Sequence, residues 1–391
     1  MSDGTKDGLR QLDRLLASTN QSWLLGAGIS LNAGIPLMLS LTDHVFSEAE
    51  KAVSREQMQA LKNVRSQLPK DSHIEHVLSQ IGDYRAIADR SDDQNVRINE
   101  SVLSVSELDS LHLQLLEWIA HTIRCGYRPK TDNDPEEIGT LNNRIVTVAD
   151  HLNFVSALFI RSQAGVVERR RAVKLFTTNY DTLLEDALAL GGFSYWDGFS
   201  GGAVAYRSHR YGDEEPTRSY RAHVVKLHGS IDWHLGEDNR VWRVRDGDTY
   251  PGSTARVLIY PQSTKYLATQ RDPFAAQFDL FRRTLNTCED NILATCGYSF
   301  GDEHINQEIE LALGRPENKT TLLAFASDIN PILERWKNKS WGKRVYIITK
   351  RGLYVGDSEP PSHAIESNNL NWWTFDGVTK ILNDGAEAFA Q

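Results

Sequence analysis

Trp23-Leu24-Leu25-Gly26-Ala27-Gly28-Ile29-Ser30 decides the fold. An apolar run that stops at glycines and leads toward a helix reads as the first unit of a βα nucleotide-type fold, a buried strand delivering a tight turn. Glycines there let backbone N–H groups approach a pyrophosphate, and a following helix N-terminus favours the anion. The third glycine of the usual pattern would fall at Leu31 and is absent. No clear ribose-binding acid follows, although Asp43 lies roughly where one would be sought. On these eight residues alone, a structural turn and a phosphate site stand level.

Outward from this stretch, short apolar runs recur at 172–176, 224–227, 257–260, 292–294, 321–325 and 345–348. Continuous runs of this length suit strands of a parallel sheet covered on both faces. Helical patterns fall between the later runs, as at 306–313 and 182–190. The segment 46–165 has a different texture, rich in Glu, Gln, Lys, Leu and Ala, with apolar residues at helical spacing in Leu111, Leu113, Leu115, Leu116, Trp118 and Ile119. The predicted class is therefore α/β: a Rossmann-like parallel sheet built from residues 1–45 and 166–391, with 46–165 as a mainly helical insertion. A Tyr-, Trp-, Gly- and Asp-rich stretch, 191–248, predicts a small β-rich element beside the sheet. Because the insertion leaves and rejoins the sheet near its ligand-facing edge, it is expected to roof the crevice or carry a subunit interface. Its His73-Ile74-Glu75-His76 reads as a partly exposed surface or crevice-edge face rather than a metal site, with Glu75 turned away from the histidines.

The chain has 391 residues, 40% of them hydrophobic, and a net charge of −9. That bounds a folded protein of about two ordinary domains and argues against direct nucleic-acid binding; Glu168-Arg169-Arg170-Arg171 reads as a solvated surface run. Residues 1–7 are polar with no apolar signal core, and no apolar run approaches the roughly 20 residues of a membrane helix. A cytoplasmic protein is expected. The three cysteines, Cys125, Cys288 and Cys296, include no Cys-x-x-Cys pair, so no structural zinc module of the usual kind is expected. Cys296, in an apolar run, is expected in the core.

Three further motifs follow strands. In Thr177-Thr178-Asn179-Tyr180-Asp181, polar side chains at a strand's C-terminal end face the ligand crevice; Asp181 reads equally as a helix cap, whereas Asn179 reads as functional. In Lys226-Leu227-His228-Gly229-Ser230, the histidine is placed to act as a general base near neutral pH; a lone histidine is more often structural, and the neighbouring motifs tip the reading. In Gly297-Tyr298-Ser299-Phe300-Gly301-Asp302-Glu303-His304-Ile305-Asn306, small residues allow a second approach to phosphate or ribose, and Asp302 with His304 reads as capping or ribose contact rather than metal binding.

The ordered set Gly-Ala-Gly-Ile-Ser, Thr-Thr-Asn-Tyr-Asp, Leu-His-Gly-Ser and Gly-Tyr-Ser-Phe-x-Asp-x-His-Ile-Asn resembles the sirtuin-like family, most closely its prokaryotic branch found in antiphage NAD-depleting systems. The resemblance implies NAD as substrate and no metal. It puts Asn179, His228 and Asp181 in the catalytic set, and Gly26, Ala27, Gly28, Ser30, Thr178, Gly297, Ser299 and Asp302 on the nucleotide. It also implies a homo-oligomer and a HerA-like ATPase or other defence partner. Sirtuin deacylases carry a four-cysteine zinc module that this chain cannot build, and after Gly34-Ile35-Pro36 the chain continues Leu37-Met38-Leu39 in place of Asp-Phe-Arg. The expected activity is thus hydrolysis of NAD to nicotinamide and ADP-ribose. The alternatives are a deacylase or ADP-ribosyltransferase, or a non-catalytic NAD- or ADP-ribose-binding subunit.

Overall fold

The computed structural model describes residues 3–162, 171–216, 219–236, 240–245, 255–258, 272–357 and 370–389. The chain opens with α1 (Asp3–Leu16) and β1 (Gln21–Leu25), followed by a 3-10 turn at Ala27–Ile29. Next come α2 (Met38–Ala52), α3 (Arg55–Gln67), α4 (Ile74–Asp89), the hairpin of β2 (Asn95–Ile98) and β3 (Ser101–Ser104), α5 (Val105–Cys125), the hairpin of β4 (Tyr127–Arg128) and β5 (Glu137–Ile138), and α6 (Ala149–Ser156). Then follow β6 (Val173–Thr177), α7 (Leu183–Leu190), β7 (Tyr195–Trp196), β8 (Phe199–Gly201), β9 (Val204–Arg207), β10 (Ala222–Lys226), β11 (Gly229–Leu235), β12 (Val241–Val244) and β13 (Ala255–Leu258). The chain finishes with α8 (Phe274–Leu285), β14 (Asn291–Cys296), α9 (Glu303–Leu313), β15 (Thr320–Phe325), α10 (Pro331–Lys337), β16 (Val345–Thr349), β17 (Gly352–Val355) and α11 (Phe375–Asp384).

The main sheet runs β17-β16-β15-β14-β1-β6-β10-β7. All its pairings are parallel except β16 with the edge strand β17. Side chains alternate between its two faces. Trp23, Leu25, Leu175, Val224 and Ala294 pack against α1, α6, α7 and α11. Leu24, Phe176, Val225 and Leu293 pack against α8, α9 and α10. Burial on both faces is why the strands read as unbroken apolar runs. β8, β9, β11, β12 and β13 form a separate five-stranded antiparallel sheet. The run at 257–260 is expected in the parallel sheet; instead its described part, β13, pairs antiparallel with β11 in the small one, and 259–260 lie outside the described residues.

The helical layer has its own core, drawn from α2 to α5 and including Ala33 and Ile35. Its helices are locally specified. Ser54 with Gln57, and Ser104 with Glu107, form capping boxes, and α5 stops at Gly126, whose φ of 94° suits a residue without Cβ. Tyr180, Leu183 and Ile231 from the sheet side join this same core, so the layer packs at the carboxyl end of β6. α6 leaves the layer and packs beneath the sheet. No helix among the described residues is long and apolar enough to cross a membrane.

Candidate active site

Four of the parallel strands, β10, β6, β1 and β14, lie side by side and end at the four motifs. The β1 and β14 ends meet backbone to backbone. Gly26 N–H donates to Cys296 O at 3.1 Å and Gly28 N–H to Gly297 O at 3.0 Å. A Cβ on Gly26 would lie 2.5 Å from Gly297 O, and one on Gly297 (φ +63°) 2.5 Å from Ile29 N. These glycines are thus required by loop-to-loop contact, whatever they do for a ligand. The N–H groups of Ile29 and Ser30 close the 3-10 turn onto Gly26 O and Ala27 O.

Ser30, fully buried, is the centre of the next layer. Its Oγ donates to Asp181 Oδ2 at 2.9 Å and accepts from Asn179 Nδ2 at 3.1 Å. Asn179 is buried, and its Oδ1 has no hydrogen-bond partner among the described residues. Asp181 Oδ1 accepts from the Leu183 N–H at the start of α7 at 3.0 Å. Asp181, one place before the N-cap residue Thr182, thus holds the first N–H of α7 with one carboxylate oxygen and Ser30 with the other. Thr177 shapes the turn, its Oγ1 donating to Leu25 O and accepting from Asn179 N–H, while the Thr178 N–H bonds Leu25 O.

Two residues that the sequence did not single out complete this layer. His151, on α6, is fully buried with Nε2 3.4 Å from Ser30 Oγ; burial holds its imidazole below the usual range, so it stays neutral. Lys226, at the end of β10, is 2% exposed. Its Nζ donates to Asp181 O, to Tyr180 O at 3.4 Å and to Ser230 Oγ at 2.9 Å, and lies 3.5 Å from Glu185. Burial pushes the Glu185 carboxyl up to about 7, with Lys226 and Arg245 pulling it back. A lysine in an apolar strand carried a signal, since a buried cation demands partners; nothing in the chain marked His151.

His228 follows β10, next to the Asn179 loop, since the Leu227 N–H bonds Thr177 O at 2.8 Å. It is buried, with Nε2 3.8 Å from Asp302 Oδ1. The His228 and His304 rings stack at 5.5 Å and 24°. Asp302 occupies the N-cap position of α9 without making a side-chain cap bond, so of its two expected uses the capping one fails, the carboxylate being turned toward His228. Ser299 is exposed and its Oγ accepts from Gly301 N–H. Tyr298 and Asn306 brace this loop internally.

Other residues fall elsewhere. Asp43 lies on the helical layer, paired with Arg65 at 2.7 Å. Glu75, expected to point away, accepts from Tyr180 Oη at 2.5 Å and lies 4.0 Å from His73. Cys296 is buried, its thiol pushed up to about 12 by burial. Residues 168–170 lie outside the described residues, and Arg171 pairs with Glu289.

Residues 173–346 match the family described as the SIR2-like domain. This stretch runs from β6 into β16 and carries Asn179, Asp181, His228 and Asp302, but not the Gly26–Ser30 turn. Among solved structures, the chain is similar to that titled as a crystal structure of a Sir2 homolog–NAD complex, at 12% identity, covering 83% of this chain and 84% of the other, TM-score 0.40. It is also similar to one titled the structural basis of sirtuin substrate affinity, at 11% identity, covering 81% and 87%, TM-score 0.33. No curated protein matches the chain.

Proposed function

We propose that the protein is a NAD hydrolase that cuts the nicotinamide–ribose bond, releasing nicotinamide and ADP-ribose. The observation that carries this reading is Asn179: a buried side chain whose Nδ2 is anchored on Ser30 and whose Oδ1 has no partner among the described residues. A buried carbonyl oxygen is costly unless something donates to it, and a ribose hydroxyl or the attacking water supplies that donor.

The bond breaks through a cationic, oxocarbenium-like ribose, which preorganised negative charge and dipoles stabilise. Asp181, oriented through Ser30, supplies the charge. Asn179 Oδ1 holds the hydroxyl or water, and His228 takes the proton as water adds. Thr178, Gly297, Ser299, Asp302 and the Gly26-Ala27-Gly28 turn flank the nucleotide. The scheme needs no metal. A homo-oligomer, a HerA-like ATPase partner and a role in antiphage defence rest on the sequence resemblance.

The test is incubation of the purified protein with NAD alone, and again with an acyl-lysine peptide. Release of ADP-ribose without peptide supports the hydrolase. Turnover only with peptide assigns a deacylase instead, and NAD binding without turnover in both assays assigns a binding subunit.

A further inference from the structure

The described residues contain one cluster of side chains with metal-binding geometry, and it includes His228 of the proposed site. One donor atom from each of His228, Asp302 and His304 lies within 4.8 Å of the other two. The sequence conceals it, because His228 follows β10 while Asp302 and His304 open α9 beyond β14. The sheet order supplies the third ligand that the Asp302–His304 pair lacks. We propose that these three side chains form a binding site for one divalent transition-metal ion of the zinc class.

Three observations support the assignment. Two imidazoles and one carboxylate are a borderline-soft donor set that suits zinc and its neighbours better than magnesium or calcium. Asp302 stands where a helix cap would be expected and makes no cap bond; its Oδ1 instead lies 3.8 Å from His228 Nε2, so a small inward shift brings both onto one ion. The rings are also held. His304 packs on Phe278 at 5.2 Å and stacks with His228, which lowers the entropy lost on ligation. Three protein ligands leave a fourth position to water or to an incoming ligand.

One consequence rests on the hydrolase reading. A metal bound through His228 occupies the lone pair that would accept the water proton, so a loaded site and a turning-over site exclude each other. The ion then acts as an inhibitor of the same site.

The experiment loads the whole metal-free protein with zinc by equilibrium dialysis, and with cobalt to record visible absorption and hyperfine-shifted NMR signals. One ion per chain is expected, with four- or five-coordinate cobalt bands, two exchangeable imidazole N–H signals and a higher melting temperature on loading. His304→Ala and Asp302→Asn should each weaken binding by at least about tenfold. No saturable one-to-one binding overturns the site, as do unchanged affinity in both variants or sulfur-to-cobalt bands that place the ion on Cys288. Should the variants fail to fold, the imidazole signals of the wild type decide alone. NAD hydrolysis is followed separately: zinc should suppress it by at least about tenfold and a chelator restore it. Bound zinc without suppression overturns the exclusion, whereas absence of hydrolysis in metal-free protein overturns the hydrolase reading and leaves the ion result standing.

Discussion

Ser30 shows how much of the site hangs on single atoms. Its hydroxyl sits among Asp181, Asn179 and His151, giving its proton to the carboxylate and using its lone pairs for the two N–H donors. His151 Nδ1 has no partner among the described residues, so the neutral ring with its proton on Nε2 fits best. His151→Phe should keep the packing, since Phe375 and Phe154 already line that region. It should lower kcat for NAD by about tenfold while KM changes less, because it loosens an aligned group rather than a binding contact; unchanged kcat would remove His151 from the site. His228→Ala should lower NAD turnover by about 10²–10⁴-fold with an unaltered circular dichroism spectrum. Wild-type turnover in that variant would take His228 out of the mechanism.

Among the elements, β10 and α7 are tied by a buried ionic network that sets the loop between β6 and α7. Lys226→Met would strand Glu185 and remove the lysine donor from Asp181 O, while Tyr180 O keeps the Ile231 N–H and the Ser230 hydroxyl, a change worth about 3–5 kcal/mol of stability. Lys226→Met with Glu185→Leu should recover part of it, as read by urea denaturation. The pH dependence follows from Glu185, whose carboxyl is raised to about 7 from its ordinary 4.5. Between those values the folded protein holds more protons than the unfolded chain, so this group's contribution to stability falls as pH rises from about 4.5 to 7 and is flat beyond. Denaturation at several pH values should show a flatter profile for Glu185→Gln than for wild type; superimposable profiles would refute the assignment. The elements themselves were legible because both sheet faces are buried and the strands show as apolar runs. Position in the sheet was not: the apolar run of β13 looks like any other strand, and only its pairing sends it to the antiparallel sheet.

At the scale of the molecule, the helical layer and the sheet meet at Tyr180. Its ring joins the layer's core while its hydroxyl bonds Glu75 at the start of α4, and its neighbours in the chain are Asn179 and Asp181. A hydrogen bond to a charged group contributes about 1.5–3 kcal/mol. Tyr180→Phe should therefore speed amide exchange both in the first turn of α4 and in residues 178–183, and exchange confined to one side would deny the coupling. The sequence announced the helical layer and the four motifs; it did not announce this joint, nor His151 against Ser30. Each depends on residues far apart in the chain whose meeting is decided by which helix returns to which face.

Sheet order also governs when the protein can become whole during synthesis. Leu25 lies between Thr177 and Cys296 in neighbouring strands, so the first-made strand waits for both partners while ribosomes extend the chain at about 5–20 residues per second. For a time on the order of tens of seconds the nascent chain exposes β1 and its glycine turn with nothing to complete them. A product truncated before β14 carries Asn179 and His228 but lacks Gly297 and Asp302. The four motifs therefore come together only in chains that extend past Asp302, and a product terminated before β14 cannot assemble them.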